Sequence, residues 1–214
     1  MYDHQTRSLW SHITGEAIQG PLKGKRLKTL ASMPQIAWKT WQKNYPKTSV
    51  LSVPFRGSMR ESQNRDVYAD YHASQRAGVS GIDYTDNRLP NKSLVIGVQV
   101  ADKNEEMRYR AYPLTQFEEK PLINDTLSGV PLLIFHDKDS FATAVFKRTV
   151  GDSARTFTPQ DSYFTRDNSG TRWNLITGEA TAGKHKGARL ERLPAVTIYW
   201  FAWARYHPET TIYR

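Results

Sequence analysis

The 214-residue chain contains no cysteine, so disulfides, zinc-thiolate sites and thiol nucleophiles are excluded within it. That absence fits a reducing compartment without requiring one. No apolar run approaches the roughly 20 residues of a membrane-spanning helix, and the opening "MYDHQTRSLW" holds no stretch of signal-peptide length. The sequence therefore reads as a soluble protein. A phosphate-binding glycine loop, a G-x-S-x-G elbow and an H-E-x-x-H helix are also missing. The basic charge comes without any nucleic-acid reader motif, so nucleic acid is not an expected partner.

What the chain does have is a core-forming composition, 38% hydrophobic and 12% aromatic, which argues for a folded globule over disorder. Its length allows one large or two small domains. The net charge of +9 is unevenly placed. Residues 1–50 hold eight Lys or Arg against two acidic residues, and residues 164–214 hold eight against four, whereas the middle holds fourteen against fifteen. The basic excess belongs to the two ends. Such a surface attracts anionic ligands, or it serves only as a solvated face.

Those ends share a phrase. "WSHITGEAIQGPLKGKRL" (Trp10 to Leu27) and "WNLITGEATAGKHKGARL" (Trp173 to Leu190) agree at eleven of eighteen positions. After a one-residue slip, Trp38 and Trp41 answer to Trp200 and Trp203, Pro46 to Pro208, and Thr48 to Thr210. All six tryptophans thus occupy equivalent places in two copies of a unit of roughly 45 residues, too few copies for a solenoid. The spacing predicts an internal duplication with a pseudo-twofold arrangement.

Within each copy, Gly20 and Gly24, or Gly183 and Gly187, bound a short turn between segments able to pair as a hairpin. A helix should follow in "PQIAWKTWQKNYP" and in "AVTIYWFAWARYHP", each stopped by its proline. The tryptophans read mainly as core, although aromatic platforms also bind sugars and bases. Between the copies, residues 52–91 form a polar excursion with room for one short helix. "SLVIGVQV", "MRYRAYPL", "VPLLIFH", "TAVFKR" and "ARTFT" then read as short strands. The expected fold is α+β and predominantly β, with two pseudo-symmetric halves each bearing a glycine-turn hairpin and a tryptophan-bearing helix. The division is 1–51 for the first unit, 52–91 for the excursion and 92–214 for the second half. Because no strand block precedes the first copy, an N-terminally shortened chain is expected.

The phrases "MYDHQTRSLWSHITGEAIQGPLKGKRL", "NRLPNKSLVIGV", "RAYPL", "INDTLSGVP" and the W-x-x-W followed by "HPETTIY" together resemble the prokaryotic family of domains of unknown function DUF3179. The resemblance covers most of the chain and is interrupted mainly at residues 56–86. It implies an exported or envelope-associated protein. It also implies a strand with a C-P-x-C motif upstream of Met1, and it sets His136 and Asp139 where the second copy would carry two cysteines.

Three sets of residues are candidates for chemistry. Glu16 with Arg26, and Glu179 with Arg189, read as cross-strand ion pairs that fix register; the arginines, with Lys23 and Lys186, can equally hold an anion or a protein partner. The glutamates are also equivalent carboxylates that a pseudo-twofold axis could unite as a hydrolase pair. His136 and Asp139, beside Asp137, are types that bind a transition metal, with His4, His185 and His207 as further contributors. "NDTLSG", with Asp125 and Thr126, lacks the glycine and second copy of an aspartic-protease pair. The leading expectation is a non-enzymatic domain binding an anionic ligand or a protein. A redox or metal protein completed by upstream cysteines is the main alternative.

Overall fold

Runs of β-branched and aromatic residues separated by turn-formers favour short strands, and strands dominate the second half of the chain. The computed structural model describes residues 1–11, 13–28, 35–51, 66–84, 86–161 and 163–214. In chain order the strands are β1 (Leu9–Trp10), β2 (Ala17–Gln19), β3 (Leu94–Ala101), β4 (Met107–Pro113), β5 (Leu122–Leu127), β6 (Val130–Asp137), β7 (Ala142–Lys147) and β8 (Thr149–Val150). They continue with β9 (Ser153–Ala154), β10 (Phe157–Asp161), β11 (Phe164–Asp167), β12 (Arg172–Asn174), β13 (Glu179–Ala182), β14 (Glu191–Arg192), β15 (Ala195–Tyr199) and β16 (Thr211–Ile212). Short α-helices occupy Trp38–Asn44, Ala69–Ala73 and Trp200–Tyr206. The protein is α+β with a predominance of β. Among the described residues no helix is long and apolar enough to cross a membrane.

Among the described residues three four-stranded sheets run in the orders β15-β3-β4-β16, β14-β7-β6-β5 and β10-β11-β12-β13. Alternation along each strand decides how they stack. Ile96, Val98 and Val100 of β3 meet Leu132 and Ile134 of β6 and Val145 of β7 in one core. The opposite face of β3, with Val95, packs against Trp200, Trp203 and Ala204 of the last helix. β6 is likewise two-sided: Leu133 and Phe135 enter a third cluster with Phe157, Trp173, Leu175 and Leu190. The layers are therefore helix, sheet, sheet, sheet. Burial on both faces is why β3 is apolar from Leu94 to Val98 and β6 from Val130 to Phe135, and each buried Val, Leu, Ile or Phe contributes about 1.5–3 kcal/mol.

Two departures from the expected elements have clear causes. "AVTIYWFAWARYHP" has helical apolar spacing throughout, yet Ala195 to Tyr199 pair antiparallel with Val98 to Leu94 as β15, and the helix begins only at Trp200. Val196, Thr197 and Ile198 are β-branched, lose side-chain freedom in a helix and gain a neighbouring strand. β5 was hidden for the opposite reason. Its middle, Asn124-Asp125-Thr126, is polar, but the strand pairs along its full length with β6.

The three large sheets all come from residues after 93, and the first copy of the repeat contributes the β1–β2 pair and the Trp38–Asn44 helix. In the excursion, the Ala69–Ala73 helix lies among described residues, whereas residues 52–65 lie outside them.

Candidate functional site

The two repeated phrases share a set of backbone hydrogen bonds. Ala17 N–H donates to Lys25 O and Gly24 N–H to Ala17 O; Ala180 N–H donates to Ala188 O and Gly187 N–H to Ala180 O. Leu27 N–H reaches Gly15 O at 2.8 Å, and Leu190 N–H reaches Gly178 O at 2.9 Å. Thr14 and Thr177 hydroxyls each accept from the glutamate N–H two residues on, both at 3.3 Å. Gly20 and Gly183 have φ of +96° and +94°, and a Cβ on either would meet the Cα of Ser8 or Thr171 at 2.8 Å. Only glycine satisfies both the left-handed backbone and that approach.

This frame places the predicted charges. Glu16 and Arg26 form an isolated antiparallel bridge, as do Glu179 and Arg189. Arg26 Nη2 lies 3.0 Å from Glu16 Oε2, and Arg189 Nη2 lies 3.2 Å from Glu179 Oε2. The arginine side chains are 68% and 70% exposed, so each pair adds at most about 1 kcal/mol of stability. Lys23 and Lys186 stand exposed at equivalent turn positions, joined by Lys25 and Lys28 in the first hairpin and Lys184 in the second. Each glutamate is bonded to the arginine of its own hairpin. Among the described residues no hydrogen bond or ion pair links the hairpins to one another.

The helices are matched as well. Both end on residues of nearly identical backbone, Tyr45 (φ −130°, ψ 69°) and His207 (φ −132°, ψ 67°). Trp41 Nε1–H donates to the Thr48 hydroxyl at 3.0 Å, and Trp203 Nε1–H to the Thr210 hydroxyl at 2.9 Å. Burial separates the copies. Trp173, Trp200 and Trp203 are core residues, whereas Trp38 is 50% exposed and the first helix buries no residue fully. The tryptophans are thus interior in the second copy only.

The histidine candidates sit apart. His136 is buried between the Phe117 and Phe141 rings, with Nδ1 3.0 Å from the Thr143 hydroxyl. Burial lowers its pKa, against the opposing charge of Asp137. Asp137 accepts the Ser140 N–H and hydroxyl, and Asp139 is exposed on the turn. His207 stacks on Tyr109 at 4.1 Å, His185 lies near Arg155, and His4 packs edge-on to Tyr2. Among the described residues no three His, Asp or Glu side chains are grouped to hold a metal ion.

Two clusters were not anticipated. Asp125 accepts from Arg110 at 2.6 Å and from the buried Tyr112 hydroxyl at 2.7 Å, and burial pushes that phenol's pKa up. Lys92 Nζ lies 3.3 Å from the Tyr71 ring centroid and 4.8 Å from that of Tyr199, whose hydroxyl meets His72 at 2.9 Å. Tyr68, Tyr71 and His72, spaced three and four apart, were a readable sign of an aromatic helix face.

The sequence model of a family described as "Protein of unknown function (DUF3179)" matches residues 1–210 of the chain. No curated protein and no solved structure matches it.

Proposed function

The chain belongs to the DUF3179 family of proteins of unknown function, and from its two basic hairpins we propose a non-enzymatic domain that binds an anionic ligand or a protein partner. The observation carrying this reading is the duplicated arrangement of Arg26 with Lys23 and Arg189 with Lys186. Each guanidinium is anchored through one nitrogen to its glutamate and is largely exposed. A guanidinium held this way keeps further N–H donors turned to solvent at fixed geometry, which suits carboxylate, sulfate or phosphate. The hydrolase reading requires Glu16 and Glu179 to act on one substrate, but each carboxylate is engaged by its own arginine. The metal reading requires several ligands converging on one point, and among the described residues no three His, Asp or Glu side chains are grouped in that way.

Two finer features belong to this proposal. The copies are the products of one duplication, leaving pseudo-symmetric halves, and the protein works in an exported or envelope-associated setting. Fractionation of the native host's cells checks the second point; recovery with the cytosol removes it.

Calorimetric titration with a sulfated polysaccharide tests the binding reading. The exposed positions make Lys23→Glu with Lys186→Glu a structurally mild double variant. It is expected to weaken binding by about tenfold or more and to flatten the salt dependence, because fewer counterions are released. Affinity equal to wild type would remove the proposal.

A further inference from the structure

The turns of the two hairpins share a backbone and differ in side chains. Leu22 N–H donates to the Ser8 hydroxyl at 3.2 Å, and His185 N–H donates to the Thr171 hydroxyl at 3.3 Å. The carbonyls close both turns alike, Lys25 N–H reaching Leu22 O and Ala188 N–H reaching His185 O, each at 2.9 Å. One frame thus carries Pro21-Leu22-Lys23 in the first copy and Lys184-His185-Lys186 in the second. The exchange sets an imidazole beside Arg155, whose Nη2 lies 3.4 Å from His185 Nε2. A guanidinium can only donate, so the ring nitrogen is the acceptor.

Arg155 is a poorly matched cation. Its Nε is shut off from solvent and, among the described residues, has no hydrogen-bond partner. A desolvated donor left without an acceptor carries the whole cost of its lost water, and such groups are rare in native proteins. Its neighbours are cations too. Arg148 donates to the Arg155 carbonyl at 2.8 Å and otherwise to Asp125 O and the Thr126 hydroxyl. Arg166 donates to Gly170 O at 3.0 Å, and that carbonyl lies 3.4 Å from the place of a Cβ on Gly183, where the turn begins. All these acceptors are neutral, and among the described residues none of the three arginines has an ion pair. Lys184 and Lys186 stand exposed on the turn itself. Asp167, behind it, is buried and already accepts from Ser169, Thr171 and Trp173, while Asp152 is exposed at the tip of β8–β9.

We infer that this end of the second hairpin is a discrete site for a tetrahedral oxyanion, a phosphate or sulfate group, gripped by the Arg155 guanidinium and flanked by Lys184 and Lys186. Turning the guanidinium outward presents Nε and one Nη together, a two-point fork that matches two oxygens of such a group. The same movement gives the stranded Nε–H the acceptor it lacks. A cost carried by the free protein is therefore relieved in the complex, and the gathered positive field draws the anion in. His185 is a positioning residue, its Nε2 holding Arg155 at the turn. Leu22 offers no such hold, so the site occurs once although the hairpin occurs twice. The inference rests on the anionic-ligand reading and assigns that ligand a chemistry and a place.

The probes are inorganic phosphate and inorganic sulfate, titrated into isotope-labelled protein and followed at the arginine Nε–H signals and the backbone amides. The account expects one saturable event that moves the Arg155 Nε–H and the Thr171 and His185 amides, with acetate binding weaker by about tenfold. The tighter of the two tetrahedral ions identifies the group that the natural ligand carries. Arg155→Lys keeps the charge but loses the fork, and should weaken binding by about tenfold or more. His185→Leu copies the side chain that the first frame already holds, so Tm should stay constant while affinity falls. An Arg155 Nε–H indifferent to both ions, acetate bound as tightly as either, or affinity equal to wild type in both variants would each overturn the inference. Polysaccharide binding that depends on Lys23 and Lys186 but not on Arg155 would strike this site and keep the broader reading. Phosphate or sulfate held at Arg155 by a protein that ignores the polysaccharide would strike the paired basic hairpins and keep this site.

Discussion

A Cβ on Gly178 would fall 2.7 Å from Cε1 of Phe146, and Gly15, its counterpart, meets no such ring. Both glycines have positive φ, +76° and +68°, so alanine at either carries the left-handed backbone penalty of roughly 1–2 kcal/mol. Only Gly178→Ala also overpacks a core, which costs about a further 1–3 kcal/mol. Denaturant unfolding of the two variants should show Gly178→Ala the more destabilised by that margin. Equal losses would mean that Phe146 yields freely.

The tryptophan–threonine bond offers a second paired comparison. Thr210 is 2% exposed and its bond from Trp203 is buried, whereas the Trp41–Thr48 bond is only partly so. Replacing threonine by valine keeps the shape and strands the indole N–H, at about 1–3 kcal/mol when water cannot reach it. Thr210→Val is expected to lower Tm clearly and Thr48→Val to change it little. A similar drop for both would show that the first helix is as well enclosed as the last.

Acid should unfold the protein in two stages. Burial holds His136 and His207 below the ordinary histidine value of 6.5. Over the interval between folded and unfolded values the unfolded chain binds more protons, so stability is complete above about pH 6.5 and falls as pH drops through it. Carboxylates act lower. The Arg88 guanidinium holds Asp86 down, and at Asp167 burial pushes upward but is outweighed by hydrogen bonds from Ser169, Trp173 and Thr171. Their contribution is lost only below about pH 4. Melting curves from pH 8 to pH 3 should descend twice, and His207→Phe should shrink the first descent. A Tm constant from pH 7 to pH 5 contradicts this assignment.

Much of the site's geometry was legible because the repeat is a local code. Gly20, Gly24 and their counterparts announce the turns, and once the turn is placed the Glu16–Arg26 and Glu179–Arg189 pairings follow from counting residues across it. The prolines at 46 and 208 marked the helix ends for the same reason. What escaped was decided by distant neighbours. β15 carries helical spacing and becomes a strand only because β3 is there to pair with it. The Asp125–Arg110–Tyr112 group is assembled from β4 and β5, so no contiguous stretch carries its signal. The difference between the copies escaped too, since Leu27 and Leu190 are the same residue in the same phrase, and only the position of β7 buries one and exposes the other.

The central claim is that the two copies share a fold of the hairpin but differ in how deeply it is buried, Leu190 being 5% and Leu27 51% exposed, and hydrogen exchange measures this at a single bond in each copy. The Leu27 and Leu190 amides donate to Gly15 and Gly178 with the same geometry, so intrinsic bond strength does not distinguish them. Protection depends on the free energy of opening, which falls where few apolar contacts back the bond. Leu190 should exchange only through global unfolding and Leu27 through a much cheaper local opening. A Leu27 amide as protected as Leu190 would contradict the account.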